Sequence, residues 1–187
     1  MSFEGALGDV VSLVGVNGSG KSTTLRLAAG VECPDAGQVL YGGRVVDEVD
    51  VKFRRSAAVV LDDFGILPDL IVSEHLDLLA RAHAMADVGA RVNSALASLG
   101  IEHVADQLPA TLSSGQQHRL ALASVLVRDA QLLILDEPEQ RLDADGRAWL
   151  ATHLRLLAEA GVAVLMASHD VELLRETAAR TIMLDAA

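Results

Sequence analysis

The sequence predicts an α/β fold: a mostly parallel sheet, a small antiparallel β portion and an inserted α-helical stretch. Three observations carry that expectation. Apolar runs of strand length alternate with helical stretches, the order expected of a parallel sheet covered on both faces. A glycine-rich loop joins the first such run to the first helical stretch. A purely helical middle, roughly 68–126, lies between two alternating portions.

Taken in order, Val10–Val14 is a short apolar run that ends at Gly15, and the helical stretch Lys21–Ala29 follows the loop. Pro34-Asp35-Ala36-Gly37 is a turn signal. Beyond it, Gln38–Tyr41 and Arg44–Val46 form a hairpin closed at Gly42-Gly43. Ala57–Leu61 is a further strand run. From Val72 to Leu99 the spacing turns helical, with Leu76, Leu79, Ala80 and His83 on one face and Val92, Leu96 and Leu99 on another. Gly100 stops that region as a helix C-cap. A second α/β stretch follows: helix Ser114–Val127, strand Leu132–Leu135, helix Ala144–Ala160, strand Val162–Ala167, helix Val171–Ala178 and strand Thr181–Leu184. No internal repeat or low-complexity linker interrupts it.

With 187 residues the chain has room for one ordinary domain. Aromatic residues make up 3% of a sequence that is 51% hydrophobic, so the core has to be built from Ala, Val, Leu and Ile. The single cysteine, Cys33, excludes an internal disulfide and suits a reducing compartment. Glu4 and Asp9 precede any basic residue, which does not read as a signal peptide. No apolar run approaches the ~20 residues that span a bilayer. These features predict a soluble, cytoplasmic protein. A formal net charge of −11 argues against nucleic-acid binding, which depends on Lys and Arg neutralising phosphate.

Gly15-Val16-Asn17-Gly18-Ser19-Gly20-Lys21-Ser22 fits the phosphate-loop pattern G-x-x-x-x-G-K-[ST] at every position. The glycines let successive N–H groups converge on phosphate, and the helix beginning near Lys21 adds the positive end of its dipole. Lys21 supplies a mobile cation for the β- and γ-phosphates, and the Ser22 hydroxyl can ligate Mg²⁺. Thr23, in the same helical turn, completes the nucleotide-binding set with Gly15, Asn17, Gly18, Ser19 and Gly20. The apolar run Leu132–Leu135 ends in Asp136 and Glu137. Adjacent residues at a strand end point to opposite faces, so the two acids are expected to differ in role. Asp136 suits the Mg²⁺ shell, and Glu137 can orient or deprotonate an attacking water. Behind a phosphate loop, this pair becomes a specific signal for nucleotide hydrolysis.

Leu112-Ser113-Ser114-Gly115-Gln116 resembles the LSGGQ signature of ABC ATPases and is followed, as in that family, by a helix carrying Arg119. Ser168-His169-Asp170, just after the Val162–Ala167 strand, is similar to the family's switch-histidine segment, and Leu142-Asp143 matches the end of its D-loop. The resemblance runs from Phe3 to Leu184 and implies a RecA-like P-loop NTPase core. It implies one ATP-binding domain over 1–187, with 1–67 and 127–187 as the nucleotide-binding core and 68–126 as the helical subdomain. It implies Mg-ATP as cofactor and substrate, with Glu137 and His169 catalytic. Ser113, Ser114, Gly115 and Gln116 would meet ATP held by a second subunit, in a homodimer or heterodimer that sandwiches two nucleotides. A membrane-spanning transporter subunit is the implied partner, placing the chain on the inner face of the membrane. Pro68–Leu76 leans toward the exporter branch.

The sequence also departs from that family. Where the family carries a Gln that meets Mg²⁺ after the Ala57–Leu61 strand, this chain has Asp62, which either joins the metal site or points to solvent. Ser114 replaces the first signature Gly, and Gln140-Arg141-Leu142-Asp143 stands where Ser-Ala-Leu-Asp is usual. The sequence begins after the family's adenine-stacking aromatic. Adenine binding is therefore expected to be weaker or to use another group such as Phe3, unless this is a shortened form. Two other functions remain open at this level: a regulatory nucleotide-binding module with little turnover, and a soluble ABC ATPase that does not serve transport.

Overall fold

The computed structural model describes residues 1–61 and 65–185. In chain order its elements are β1 (Val10–Val14), α1 (Lys21–Ala28), β2 (Leu40–Tyr41), β3 (Arg44–Val45), α2 (Val51–Ser56), β4 (Ala57–Val60), α3 (Val72–Ala82), α4 (Val88–Leu99), α5 (Ser114–Leu126), β5 (Leu132–Asp136), α6 (Ala144–Glu159), β6 (Ala163–Ala167), α7 (Val171–Glu176) and β7 (Arg180–Met183). Two short 3-10 turns, Glu102–Val104 and Pro109–Thr111, precede α5.

The chain divides into two compact units. One contains Met1–Asp62, Ala130–Glu139 and Arg147–Ala187; the other contains Asp63–Asp129 and Gln140–Gly146. The first unit holds a five-stranded sheet in the order β4-β5-β6-β1-β7, and every pairing in it is parallel. Parallel strands buried on both faces read as continuous apolar runs, which is the pattern of Leu132–Leu135 and, apart from the buried Ser12, of Val10–Val14. Val11, Leu13, Leu25, Ala29, Ile134, Leu165, Ala167 and Leu184 form one apolar cluster around it. The hairpin is a separate two-stranded antiparallel sheet, β2 with β3. Tyr41 on β2 meets Phe53 edge to face at a centroid distance of 5.6 Å.

Helix α2 was not legible in the sequence. Asp50 caps it, accepting a hydrogen bond from Lys52 N–H at 2.8 Å, and Phe53 is its buried residue.

In the second unit α3, α4 and α5 pack together. The helical region from Val72 to Leu99 is two helices, with Ala84 and Asp87 in left-handed conformations (φ 57° and 52°) at the break. The buried face of α3 is Val72, His75, Leu76 and Ala80, so His75 occupies the core and His83 lies at the end of the helix. Gly100, at φ 63°, ends α4 as expected. Helix α5 buries His118, Leu120, Ala121, Leu122, Ala123 and Val125, nearly its whole circumference, which suits a central helix.

Candidate functional site

Strand register brings three motifs to one edge of the sheet. Asp136 pairs with Ala167, and Ala167 pairs with Leu13. Because the strands are parallel, the residues that follow each of these leave the same edge: the glycine-rich loop after β1, Glu137 after β5, and Ser168-His169 after β6. Ligands of open α/β sheets bind outside the carboxyl ends of the strands, and this is that edge.

The loop from Gly15 to Gly20 has the geometry that its sequence requires. A Cβ at Gly15 would lie 2.6 Å from both Leu184 O and Ser19 Oγ, so only glycine fits. Gly20, at φ 89°, turns the chain into α1 through the left-handed region, with open space where a side chain would be. Lys21 is buried and its Nζ donates to Gly15 O at 2.9 Å and Val16 O at 3.3 Å, folding the ammonium back over the loop. Thr24 Oγ1 donates to Gly20 O at 2.8 Å, holding the first turn of the helix. Ser19 Oγ is buried without a hydrogen-bond partner. A buried ammonium, an unpartnered hydroxyl and a helix N-terminus together fit a polyanion such as a nucleotide triphosphate.

Asp136 ends β5 and is buried. Glu137 does not continue the strand, so the simple alternation of faces expected for the two acids breaks down. Its φ is +44°, and its N–H donates to Ala167 O at 2.9 Å. A left-handed non-glycine residue costs roughly 1–3 kcal/mol unless its surroundings over-determine it, and such strain gathers at functional sites. The turn half-buries the carboxylate and brings Glu137 Oε1 to 3.6 Å from Nδ1 of the exposed His169. That is ion-pair range, longer than a hydrogen bond.

Glu139, which the sequence reading passed over, is buried at the same edge. Its Oε1 accepts a 2.6 Å hydrogen bond from Ser168 Oγ. Burial pushes its carboxyl up, and the Ser168 bond draws it partly back. An acid two residues beyond Glu137 was the available signal, but nothing in the sequence marked it as buried.

The signature segment lies in the second unit, at the start of α5. Ser113 is the N-cap: its Oγ accepts from Gln116 N–H at 3.3 Å, and its own N–H donates to Gln116 Oε1 at 2.9 Å. The cap uses the hydroxyl oxygen as an acceptor and leaves its proton to donate outward. Ser113 and Ser114 are exposed, and Gln116 Nε2 lies 3.3 Å from His103 Nε2. Arg119 donates to Leu99 O and to Asp143 Oδ1, each at 2.8 Å, tying α5 to the segment before α6. The N–H of Gly146 and then the Arg119 charge hold the Asp143 carboxyl below its ordinary range. Asp62, the candidate metal ligand after β4, lies outside the described residues.

A family model described as ABC transporter matches residues 1–140, three-quarters of the chain and all of the loop, signature and acidic strand. The chain belongs to the ABC transporter family. This ABC transporter chain is 36% identical over 186 residues to the SkfA peptide export ATP-binding protein SkfE of Bacillus subtilis (strain 168), covering 98% of itself and 77% of that protein. It is 37% identical over 186 residues to the sulfate/thiosulfate import ATP-binding protein CysA of Bordetella parapertussis, covering 96% of itself and 52% of that longer protein. Among solved structures, it matches the dimeric post-hydrolysis state of the ATP-binding cassette MJ0796 bound to ADP and Pi. That match has a TM-score of 0.87 and 27% identity, covering 98% of this chain and 84% of the other. The RecA-like P-loop fold expected from the resemblance is the fold observed, and the chain is an ATPase of the ABC type. No helix among the described residues is long and apolar enough to cross a membrane.

Proposed function

We propose that this chain binds Mg-ATP on the loop 15–22, hydrolyses it with Glu137 and His169, and drives a membrane-spanning transporter subunit through ATP-dependent pairing. The single observation that carries the reading is the convergence of the glycine loop, Asp136, Glu137 and His169 on one sheet edge. The backbone N–H groups of Gly15–Thr23 and the Lys21 ammonium would hold the phosphates. Glu137 would take the proton from the attacking water while His169, beside it, orients that water and the γ-phosphate. Ser22 and Asp136 offer one hydroxyl and one carboxylate, the sparse oxygen set that Mg²⁺ takes alongside phosphates. Bound there, Mg²⁺ would neutralise charge on the β- and γ-oxygens.

The whole chain would act as one ATP-binding domain. Ser113–Gln116, with its outward hydroxyl proton and helix N-terminus, would close over ATP on a second subunit, identical or related. The dimeric cassette among the structural neighbours supports that arrangement. The names of the export and import relatives support a transporter partner, and hence a place on the inner face of the membrane. The 3.6 Å approach of Glu137 to His169 favours turnover over a purely regulatory module.

Glu137→Gln keeps the shape of the side chain and removes the base. The variant should bind ATP as before, lose turnover by at least ~100-fold, and accumulate an ATP-dependent dimer by light scattering. Hydrolysis at the wild-type rate would remove Glu137 from the mechanism.

A further inference from the structure

Glu139 is 6% exposed, and its Oε2 is buried with no hydrogen-bond partner. A buried carboxyl with one oxygen unmatched costs stability that a Leu or Met of similar size would not. As a packing element it is a poor choice, and its contacts lead outward from the core. Ser168, fully buried at the end of β6, donates its hydroxyl proton to Glu139 Oε1 at 2.6 Å. The same Ser168 oxygen accepts the Asp170 N–H at 3.1 Å. Asp170 in turn caps α7, its Oδ1 accepting from Glu172 N–H at 2.9 Å and Leu173 N–H at 3.0 Å. A continuous chain of hydrogen bonds therefore runs from Glu139 through Ser168 to Asp170 and the start of α7.

His169 is the residue between the two links of that chain, and Glu137 lies two residues before its origin. The two side chains assigned to the reaction thus sit on separate loops, joined at the strand ends by Glu137 N–H to Ala167 O at 2.9 Å and beyond them by Ser168 Oγ–H to Glu139 Oε1. His169 is itself 67% exposed at its side chain, so packing alone does not fix it. We propose that Glu139 is a positioning residue that sets the Glu137–His169 distance by anchoring the His169 loop through Ser168. This rests on the functional reading above. The side chain suits the task because its Oε1 accepts the Ser168 hydroxyl in a short bond of 2.6 Å, and the unmatched oxygen is the cost of placing it there.

The test uses the full chain and four variants, Glu139→Leu, Glu139→Gln, Ser168→Ala and the Glu139→Leu/Ser168→Ala double variant, with kcat and KM for ATP measured alongside hydrogen exchange of the Asp170 amide. Loosening a catalytic pair by a fraction of an ångström to one ångström costs between ~10- and ~100-fold in rate. Glu139→Leu and Ser168→Ala should each lower kcat by at least ~10-fold and leave KM within ~2-fold. The double variant should lose no more than either single one, because both remove the same link. Glu139→Gln retains an oxygen facing Ser168 and should recover most of the loss. The Asp170 amide should exchange at least ~10-fold faster in Ser168→Ala and Glu139→Leu.

Wild-type kcat in Ser168→Ala overturns the proposal, as does a Glu139→Gln variant as slow as Glu139→Leu. Should the wild-type chain show no turnover, the functional reading fails separately, and an unchanged Asp170 exchange rate in both variants then overturns the anchoring role by itself.

Discussion

Among the described residues, the sheet unit buries three charged side chains, Lys21, Asp136 and Glu139, all near the carboxyl ends of its strands. The buried polar side chains of the helical unit are the imidazoles of His75 and His118. Burying a charge is expensive unless it is paired or meets a ligand. In the sheet unit, charge burial is therefore concentrated where a nucleotide would compensate it. The helical unit works differently. Its core is apolar apart from those two imidazoles, and its signature segment, Ser113–Gln116, is a helix start held by its own cap and by the contact of Gln116 with His103. One unit should trade stability for a site, while the other should put stability into a scaffold that presents one.

The largest effects should separate along that line. Leu76, fully buried on α3, has no polar function, and Leu76→Ala should destabilise the helical unit by about 2–5 kcal/mol. Denaturant unfolding, with hydrogen exchange across α3–α5, measures it. A loss below ~1 kcal/mol would mean that the helical core is looser than its burial indicates. Lys21→Ala should do the reverse, lowering ATP affinity by ~100-fold or more, about 2.7 kcal/mol, for a small change in melting temperature. Equal nucleotide affinity in that variant would disconnect the loop from the phosphates.

The same division governs how much was legible in the sequence. Most of the sheet unit's strands and the glycine loop were readable because each carries a local rule: a buried parallel strand is an apolar run, and a phosphate loop has fixed glycine spacing. The acids after β5 and the histidine after β6 were readable from their place at strand ends. Glu139 was not, because its burial depends on Ser168, 29 residues away in sequence, and no local pattern encodes that bond. In the helical unit, the periodicity found the helices and the buried Leu76 and Ala80 of α3, but it put His83 on that face where the structure buries His75. The break at 84–87 also escaped, since neither Ala84 nor Asp87 is a glycine or proline to announce it.

A smaller effect tests the signature as a cap. Ser113→Ala removes the oxygen that accepts Gln116 N–H, and losing an N-cap costs ~1 kcal/mol. The helical unit should lose about that much, and binding of ATP to isolated subunits should be unchanged because the loop lies in the other unit. ATP-dependent dimer formation by Glu137→Gln chains should weaken when Ser113→Ala is added. Dimerisation at full strength would leave Ser113 as a cap alone.

The smallest effect is a pair of pH dependences with opposite sign, one from each unit. Burial raises the Glu139 carboxyl above its ordinary value, with the Ser168 bond and the His169 charge opposing and Asp170 adding to the rise. A group whose folded pKa is raised contributes its stability fully below the ordinary value and loses it as pH climbs through the raised one. Wild type should therefore fall behind Glu139→Gln progressively as pH rises from about 4 toward neutrality. Burial lowers the His75 imidazole from its ordinary 6.5. The ring sits neutral, with Nδ1 facing Leu67 N–H at 3.5 Å and Nε2 facing Ser124 Oγ at 3.3 Å. Its stability is present above the ordinary value and is lost as pH falls toward the lowered one, so wild type should lose ground to His75→Gln below about pH 6.5. Thermal melts of the three proteins between about pH 4 and 8 give both slopes at once. A Glu139→Gln advantage that stays flat across that range would mean that the carboxyl keeps its ordinary titration. The sheet unit would then hold no uncompensated acid beside Glu137.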